Sequence, residues 1–155
     1  MAAMHCVPAT EKDIPFISEV YHENMAQLHG IPRTGEIWKE LLARKDATYY
    51  IVYETGPVAW FRLDREADGL WLGMLQVKPA HQRKGIGRYI LSVFARIAGE
   101  QGIRKLGIHT TEDNLAARML YASAGYAVTE IGPCTTADGI ERVGYTFEKE
   151  LPALQ

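Results

Sequence analysis

Between Val77 and Arg88 the chain reads V-K-P-A-H-Q-R-K-G-I-G-R. Lys78, Arg83, Lys84 and Arg88 set four cationic side chains around two glycines, Gly85 and Gly87. An apolar run precedes them and a helical pattern follows. That order suits an anion. The first N–H groups of a helix have no intrahelical partner, and the macrodipole makes that end positive. Glycine lets a ligand approach the backbone closely, and phosphates bind in such places. Two phosphate motifs do not apply. A dinucleotide fingerprint needs a third glycine where Ile90 stands, and a P-loop needs a Gly-Lys-Ser or Gly-Lys-Thr end. Taken alone, the stretch reads equally well as a tight turn with solvated charges.

The elements that must position it follow from hydropathic periodicity. Residues 4–9 read as a short strand. Thr10 is placed to cap a helix, with Glu11 and Asp13 in its first turn. Ile14, Ile17, Val20 or Tyr21, Met25 and Leu28 form its apolar stripe. A break over 29–35 leads to a shorter helix with Ile37, Trp38, Leu41 and Leu42. The stretches 47–54, 58–66 and 70–77 are β-branched and aromatic, and turn residues at Gly56-Pro57 and Asp68-Gly69 join them as an antiparallel meander. The third is almost continuously apolar, which predicts burial on both faces. Ile86, Ile90, Val93, Phe94 and Ile97 then share one helical face, and Gly102 ends that helix. A strand over 105–110 precedes a helix over 114–125, where Leu115, Met119, Leu120 and Ala124 are available for burial. Strands over 126–132 and 141–151 complete an α/β domain with a mixed sheet.

Composition narrows the classes further. A chain of 155 residues with 47% hydrophobic and 23% charged content forms one domain, 1–155, with a sizeable core. A net charge of −2 argues against nucleic acid or an anionic membrane as partner. Cys6 and Cys134 stand far apart with no CxxC pair, so they read as reduced thiols of a cytoplasmic protein rather than metal ligands. No secretory signal and no membrane-length apolar window are seen in the sequence.

The pattern V-x-P-x-x-Q-x-x-G-x-G from Val77 to Gly87 resembles the acetyl-coenzyme A signature of the GNAT N-acetyltransferase superfamily. The run N-L-A-A-R-M-L-Y-A-S-A-G-Y resembles the second half of that family's cofactor site, through Asn114, Ala117, Leu120, Tyr121, Gly125 and Tyr126. The order of elements matches along essentially the whole chain. The resemblance implies a largely antiparallel central sheet flanked by helices, with two N-terminal helices and a pyrophosphate loop before the third main helix. It implies acetyl-CoA as co-substrate, with no metal, and transfer of an acetyl group to a primary amine of a small molecule or peptide. A homodimer is compatible with it.

Carried over residue by residue, the pyrophosphate binders are Gln82, Arg83, Lys84, Gly85, Ile86, Gly87 and Arg88. Leu75, Gln76 and Val77 would pair their backbone with the pantetheine arm, and Asn114 would reach the same arm; Asn114 is also a good N-cap residue. Tyr121 matches the family's general acid, since a phenol can protonate the departing thiolate. The base is missing. Many members carry a Glu on the strand before the loop, and here Trp71 stands about where it would lie. Asp64, Glu66, His109, Glu112 or a water remain. The acceptor region would be 21–38 with 134–140. Tyr21, His22, His29, Trp38, Trp60 and Trp71 supply its aromatics; Glu23, Glu36 and Asp138 could attract a cation. Without its base the chain could instead be a non-catalytic acyl-CoA sensor.

Overall fold

The computed structural model describes residues 3–25 and 31–153. Strands β1 (His5–Pro8), β2 (Ala47–Tyr53), β3 (Pro57–Glu66) and β4 (Gly69–Val77) form the expected antiparallel meander. β5 (Lys105–Thr111) runs parallel to β4. β6 (Ala127–Thr135) and β7 (Glu141–Glu150) finish the sheet antiparallel, in the order β1-β2-β3-β4-β5-β7-β6. β6 continues to Thr135, past the Gly132 where the sequence pattern stops.

Among the described residues four α-helices flank the sheet: α1 (Ile14–Met25), α2 (Gly35–Leu42), α3 (Ile86–Glu100) and α4 (Leu115–Ser123). Thr10 caps a 3-10 turn, Glu11–Asp13, rather than α1 itself; its N–H donates to Asp13 Oδ2 at 2.8 Å. α1 then starts so that Pro15 falls in its first turn, where the missing N–H costs nothing. Leu28 and His29 lie outside the described residues.

Period-two alternation divides the core. On β2 and β3, Val52, Phe61 and Leu63 pack with α3 residues such as Ile90 and Phe94. Their neighbours Tyr49, Ile51 and Trp60 pack the other way, against Ile17, Val20 and Trp38 of α1 and α2. The second face is covered only in part, and this corrects the expectation for β4. Its Gly73 is exposed and its Trp71 only half-buried, because α1 and α2 sit over the β2–β3 side and leave the β5–β7 side open. α4 also differs from its hydropathy. Leu115 and Met119 are 59% and 64% exposed, while Tyr121 is 7% exposed. Docking of α4 on the sheet selects the side that carries Ala117, Leu120, Tyr121 and Ala124.

Candidate functional site

β4 and β5 separate early. They pair only from Leu70–Leu106 to Leu72–Ile108. A register shift against β3 leaves Gly73 as an extra residue, and a bulge of this kind re-aims a strand. Beyond it, Leu75, Gln76 and Val77 have no strand partner on the β5 side. The result is a fork in the sheet, with no strand ladder on the β5 side of that arm among the described residues.

The charged loop lies at the end of that arm. After a 3-10 turn over Pro79–His81, Arg83 has φ +63° and Gly85 has φ +85°. Left-handed backbone at a non-glycine such as Arg83 costs about 1–2 kcal/mol, and such strain clusters where a ligand is gripped. Gly85 is the N-cap of α3, yet no side chain caps it and its first turn has no acid. The contrast with α2 and α4 is direct: Thr34 accepts from Ile37 N–H and Asn114 from Ala117 N–H, each at 3.3 Å. A left-handed Gly85 followed by right-handed Ile86 turns successive N–H groups to one side, as anion-binding loops do. Arg83 and Lys84 are exposed beside them.

The loop is joined to α4. A Cβ on Gly87 would lie 2.8 Å from Leu120 Cδ2. Arg88 donates from Nη2 to Ser123 Oγ at 2.9 Å, so this cation is anchored to α4. Lys78 turns away and approaches Glu19 of α1 at 4.0 Å.

A side chain that sequence reading missed braces the same place. Asn24 of α1, 7% exposed, donates from Nδ2 to Gln76 Oε1 at 2.9 Å and to the Val77 carbonyl at 3.1 Å. Gln82 Nε2 donates to that carbonyl at 3.2 Å and to Asn24 Oδ1 at 3.3 Å. The side chains of Gln76 and Gln82 are thus engaged within the protein. The signal was present: Asn24 is a polar residue in the apolar stripe of α1. Asn24→Ala strands the buried Gln76 amide, which costs about 1–3 kcal/mol. At about 2–4 °C per kcal/mol for a chain of this size, a melting curve should fall by several degrees.

Tyr121 lies on the α3–α4 side of the fork. Its ring meets Phe147 edge-on, centroids 5.5 Å apart, and its hydroxyl has no hydrogen-bond partner among the described residues. Burial pushes its phenol up to about 12. Tyr126 beside it is raised as well, by burial first and by Tyr121 second. Both stay protonated at neutral pH. Stability held by the neutral Tyr121 phenol is full below about pH 10 and is lost as pH rises through about 12.

On the opposite side lie two adjoining cavities of about 670 and 390 Å3, which share His109, Glu130 and Thr146. His109 is the first β5 residue past the last β4 pair, at the mouth of the fork. Its ring stacks on Trp71, centroids 4.7 Å apart, and Nδ1 is 3.1 Å from Thr146 Oγ1. Gly107 makes room for that stack, since a Cβ there would lie 2.3 Å from the indole. Asp64 is bound in two hydrogen bonds by Arg62, at 2.7 and 2.9 Å. Glu66 pairs with Gly69 at the far end of β3, and Glu112 lines neither cavity.

The expected acceptor residues divide. Trp38 and Trp60 are fully buried core, and the Tyr21 hydroxyl donates to the Ile31 carbonyl at 2.9 Å. Asp138 accepts from the Thr136 hydroxyl and from Arg142, which bring its carboxyl down to about 2. Trp71 does line the groove. Arg33, not foreseen, lies over Tyr21 and Trp38 at 4.6 and 5.1 Å and reaches within 3.9 Å of Met74 Sδ on β4. Among the described residues no group of three or more His, Cys, Asp or Glu side chains could hold a metal, and no helix is long and apolar enough to cross a membrane.

Similarity to known proteins agrees with this arrangement. The chain superimposes on the ribosomal-protein-S18-alanine N-acetyltransferase of Escherichia coli with a TM-score of 0.79, at 19% identity, covering 99% of this chain and 97% of that one. The yncA protein of Salmonella typhimurium, solved with its cofactor acetyl-CoA, gives a TM-score of 0.75 at 22% identity, covering 97% and 95%. These likenesses show the fold. The chloroplastic GCN5-related N-acetyltransferase 7 of Arabidopsis thaliana is 35% identical over 60 residues, 39% of this chain. The chain covers only 22% of that relative's length. A family model, the acetyltransferase (GNAT) family, matches residues 14–126, from α1 through the charged loop to Tyr126. The match bears out the resemblance read from the two motifs, and with it the reading of this domain as an acyltransferase domain. The chain belongs to the acetyltransferase (GNAT) family.

Proposed function

We propose that this chain is an acetyl-CoA-dependent N-acetyltransferase that moves an acetyl group to a primary amine of a small molecule or peptide by direct attack. The observation that carries the reading is the uncapped, cation-flanked N-terminus of α3, joined to the helix that bears Tyr121. A polyanion is the ligand that such an end lacks. Backbone N–H groups of Gly85, Ile86, Gly87 and Arg88 would hold the pyrophosphate, with Arg83 and Lys84 adding charge. The peptide groups of Leu75, Gln76 and Val77 would pair with the amide-rich arm along the open side of β4. Asn114, already engaged as an N-cap, would keep only its remaining hydrogen-bonding capacity for that arm. Acetyl-CoA supplies the activated acyl group as a thioester.

Tyr121 would then act on the sulfur. Burial pushes this phenol up to about 12, well above a free thiol. Full proton transfer to a solvated thiolate would be uphill. Tyr121 therefore serves first as a hydrogen-bond donor to charge that develops on sulfur, and transfers its proton as the buried thiolate becomes more basic.

The test is incubation with acetyl-CoA and a panel of small amines, amino acids, polyamines and peptides, following free thiol. Amine-dependent thiol release is expected. Tight coenzyme A binding with no turnover on any acceptor would favour a sensor and sink the enzyme reading.

A further inference from the structure

We infer that His109 is the general base of this site, standing in for the carboxylate that β4 lacks. The inference rests on the acetyltransferase reading above and deepens it. Acid and base must work from opposite sides of the reacting carbon, one on the leaving sulfur and one on the attacking nitrogen. Tyr121 packs on Phe147, whose β5 partner is Ile108. Ile108 and Phe147 face α3 and α4; the next residue along β5, His109, and its own partner Thr146 face the opposite groove. The two groups thus flank the fork from its two sides. His109 also holds the place where both cavities meet.

Its surroundings fit the role. The Trp71 stack fixes the ring plane, and Nδ1–H can donate to Thr146 Oγ1. Nε2 then carries the lone pair. The other charged groups of the groove are mostly paired: Arg62 with Asp64, and Lys105 with Asp68 and Glu148. Glu66 and Glu130 also face it, and their charge favours approach of an ammonium.

The protons balance. The ammonium gives one proton to His109 Nε2, the freed amine attacks, the C–N bond forms and the C–S bond breaks. A second proton leaves nitrogen as the amide forms. One proton ends on the coenzyme A sulfur by way of Tyr121, and the other passes from His109 to solvent. An alkylamine with pKa near 10.4 is free in only about one molecule in 10³ at pH 7, so a base has that much to supply.

The test compares wild type and His109→Gln on an amine found by the thiol-release panel, from pH 6 to 10. His109→Gln should fall about 10²-fold or more in kcat/KM at pH 7, where the amine is almost wholly protonated. The deficit should shrink as pH nears the amine's own pKa. Thr146→Val, which removes only the partner of Nδ1, should lower kcat/KM by less than His109→Gln does. By NMR, the wild-type His109 ring resonance should shift when that amine joins the coenzyme A complex, and coenzyme A affinity should be equal in wild type and variant. Unchanged rate, a deficit constant across pH, or lost coenzyme A affinity in His109→Gln would each overturn the assignment. Absence of turnover in the wild type is a different result and overturns the acetyltransferase reading itself.

Discussion

Tyr121→Phe is expected to lower kcat by about 10²–10³-fold while coenzyme A affinity and the fold hold. The substitution removes one oxygen from a ring that keeps its edge-on contact with Phe147. No hydrogen-bond partner among the described residues is left stranded, so the usual cost of an orphaned buried group does not arise. Thermal unfolding should therefore move by no more than a degree or two in either direction. On the proposed reading, what would be lost is the donor to charge on the departing sulfur. Because its phenol lies near 12, Tyr121 adds no limb to the pH–rate profile below about pH 11. An unchanged kcat in steady-state thiol-release assays would remove Tyr121 from the chemistry. A collapse of the melting curve would recast it as a core residue.

Gly87→Val should abolish measurable coenzyme A binding by calorimetry, with a loss of at least about 30-fold. Two effects combine. A branched side chain would stand among the backbone N–H groups that begin α3, where the proposed pyrophosphate would come close. It would also press on Leu120, since even a Cβ comes within 2.8 Å of Cδ2. Sequence reasoning alone expects the fold to be untouched. Contact with Leu120 changes that expectation. The far end of a flexible leucine can shift, so a cost of about 1–3 kcal/mol is expected rather than unfolding, and α4 moves with Tyr121 upon it. Gly85→Ala is the control. Its Cβ meets nothing within 4 Å, so the change carries only the strain of φ +85°. It should lower stability slightly and weaken binding far less. Equal affinity in Gly87→Val and wild type would sink the loop assignment.

Much of this protein is legible from local chemistry. The meander of β2, β3 and β4 follows from β-branched runs broken by Gly-Pro and Asp-Gly. The start of α3 follows from glycine and a shift to helical period. Both depend on contacts close in sequence, which local residue types govern. The phosphate loop is of the same kind, because its N–H groups, glycines and cations all lie within a dozen residues.

The remainder depends on contacts between distant segments. Hydropathy offers Leu115, Met119, Leu120 and Ala124 for burial on α4; Leu120 and Ala124 do pack on the core, but docking leaves Leu115 and Met119 exposed and turns Tyr121 inward, because helix orientation is set by the sheet it meets. The apolar run of β4 predicts two covered faces; a bulge at Gly73 and the limited reach of α1 and α2 leave one open. The amide brace spans 52 residues from Asn24 to Gln76, beyond any local pattern. Sequence left the base open among Asp64, Glu66, His109, Glu112 or a water. Ion pairing of Asp64, the far strand end at Glu66 and the outlying place of Glu112 separate them from His109. Residue type and spacing determined that glycines and cations would meet at a helix start. Only the parting of β4 from β5, and the packing of α4 beneath it, decided which side chains face one another across the fork, because strand pairing and helix docking are settled by burial over the whole sheet.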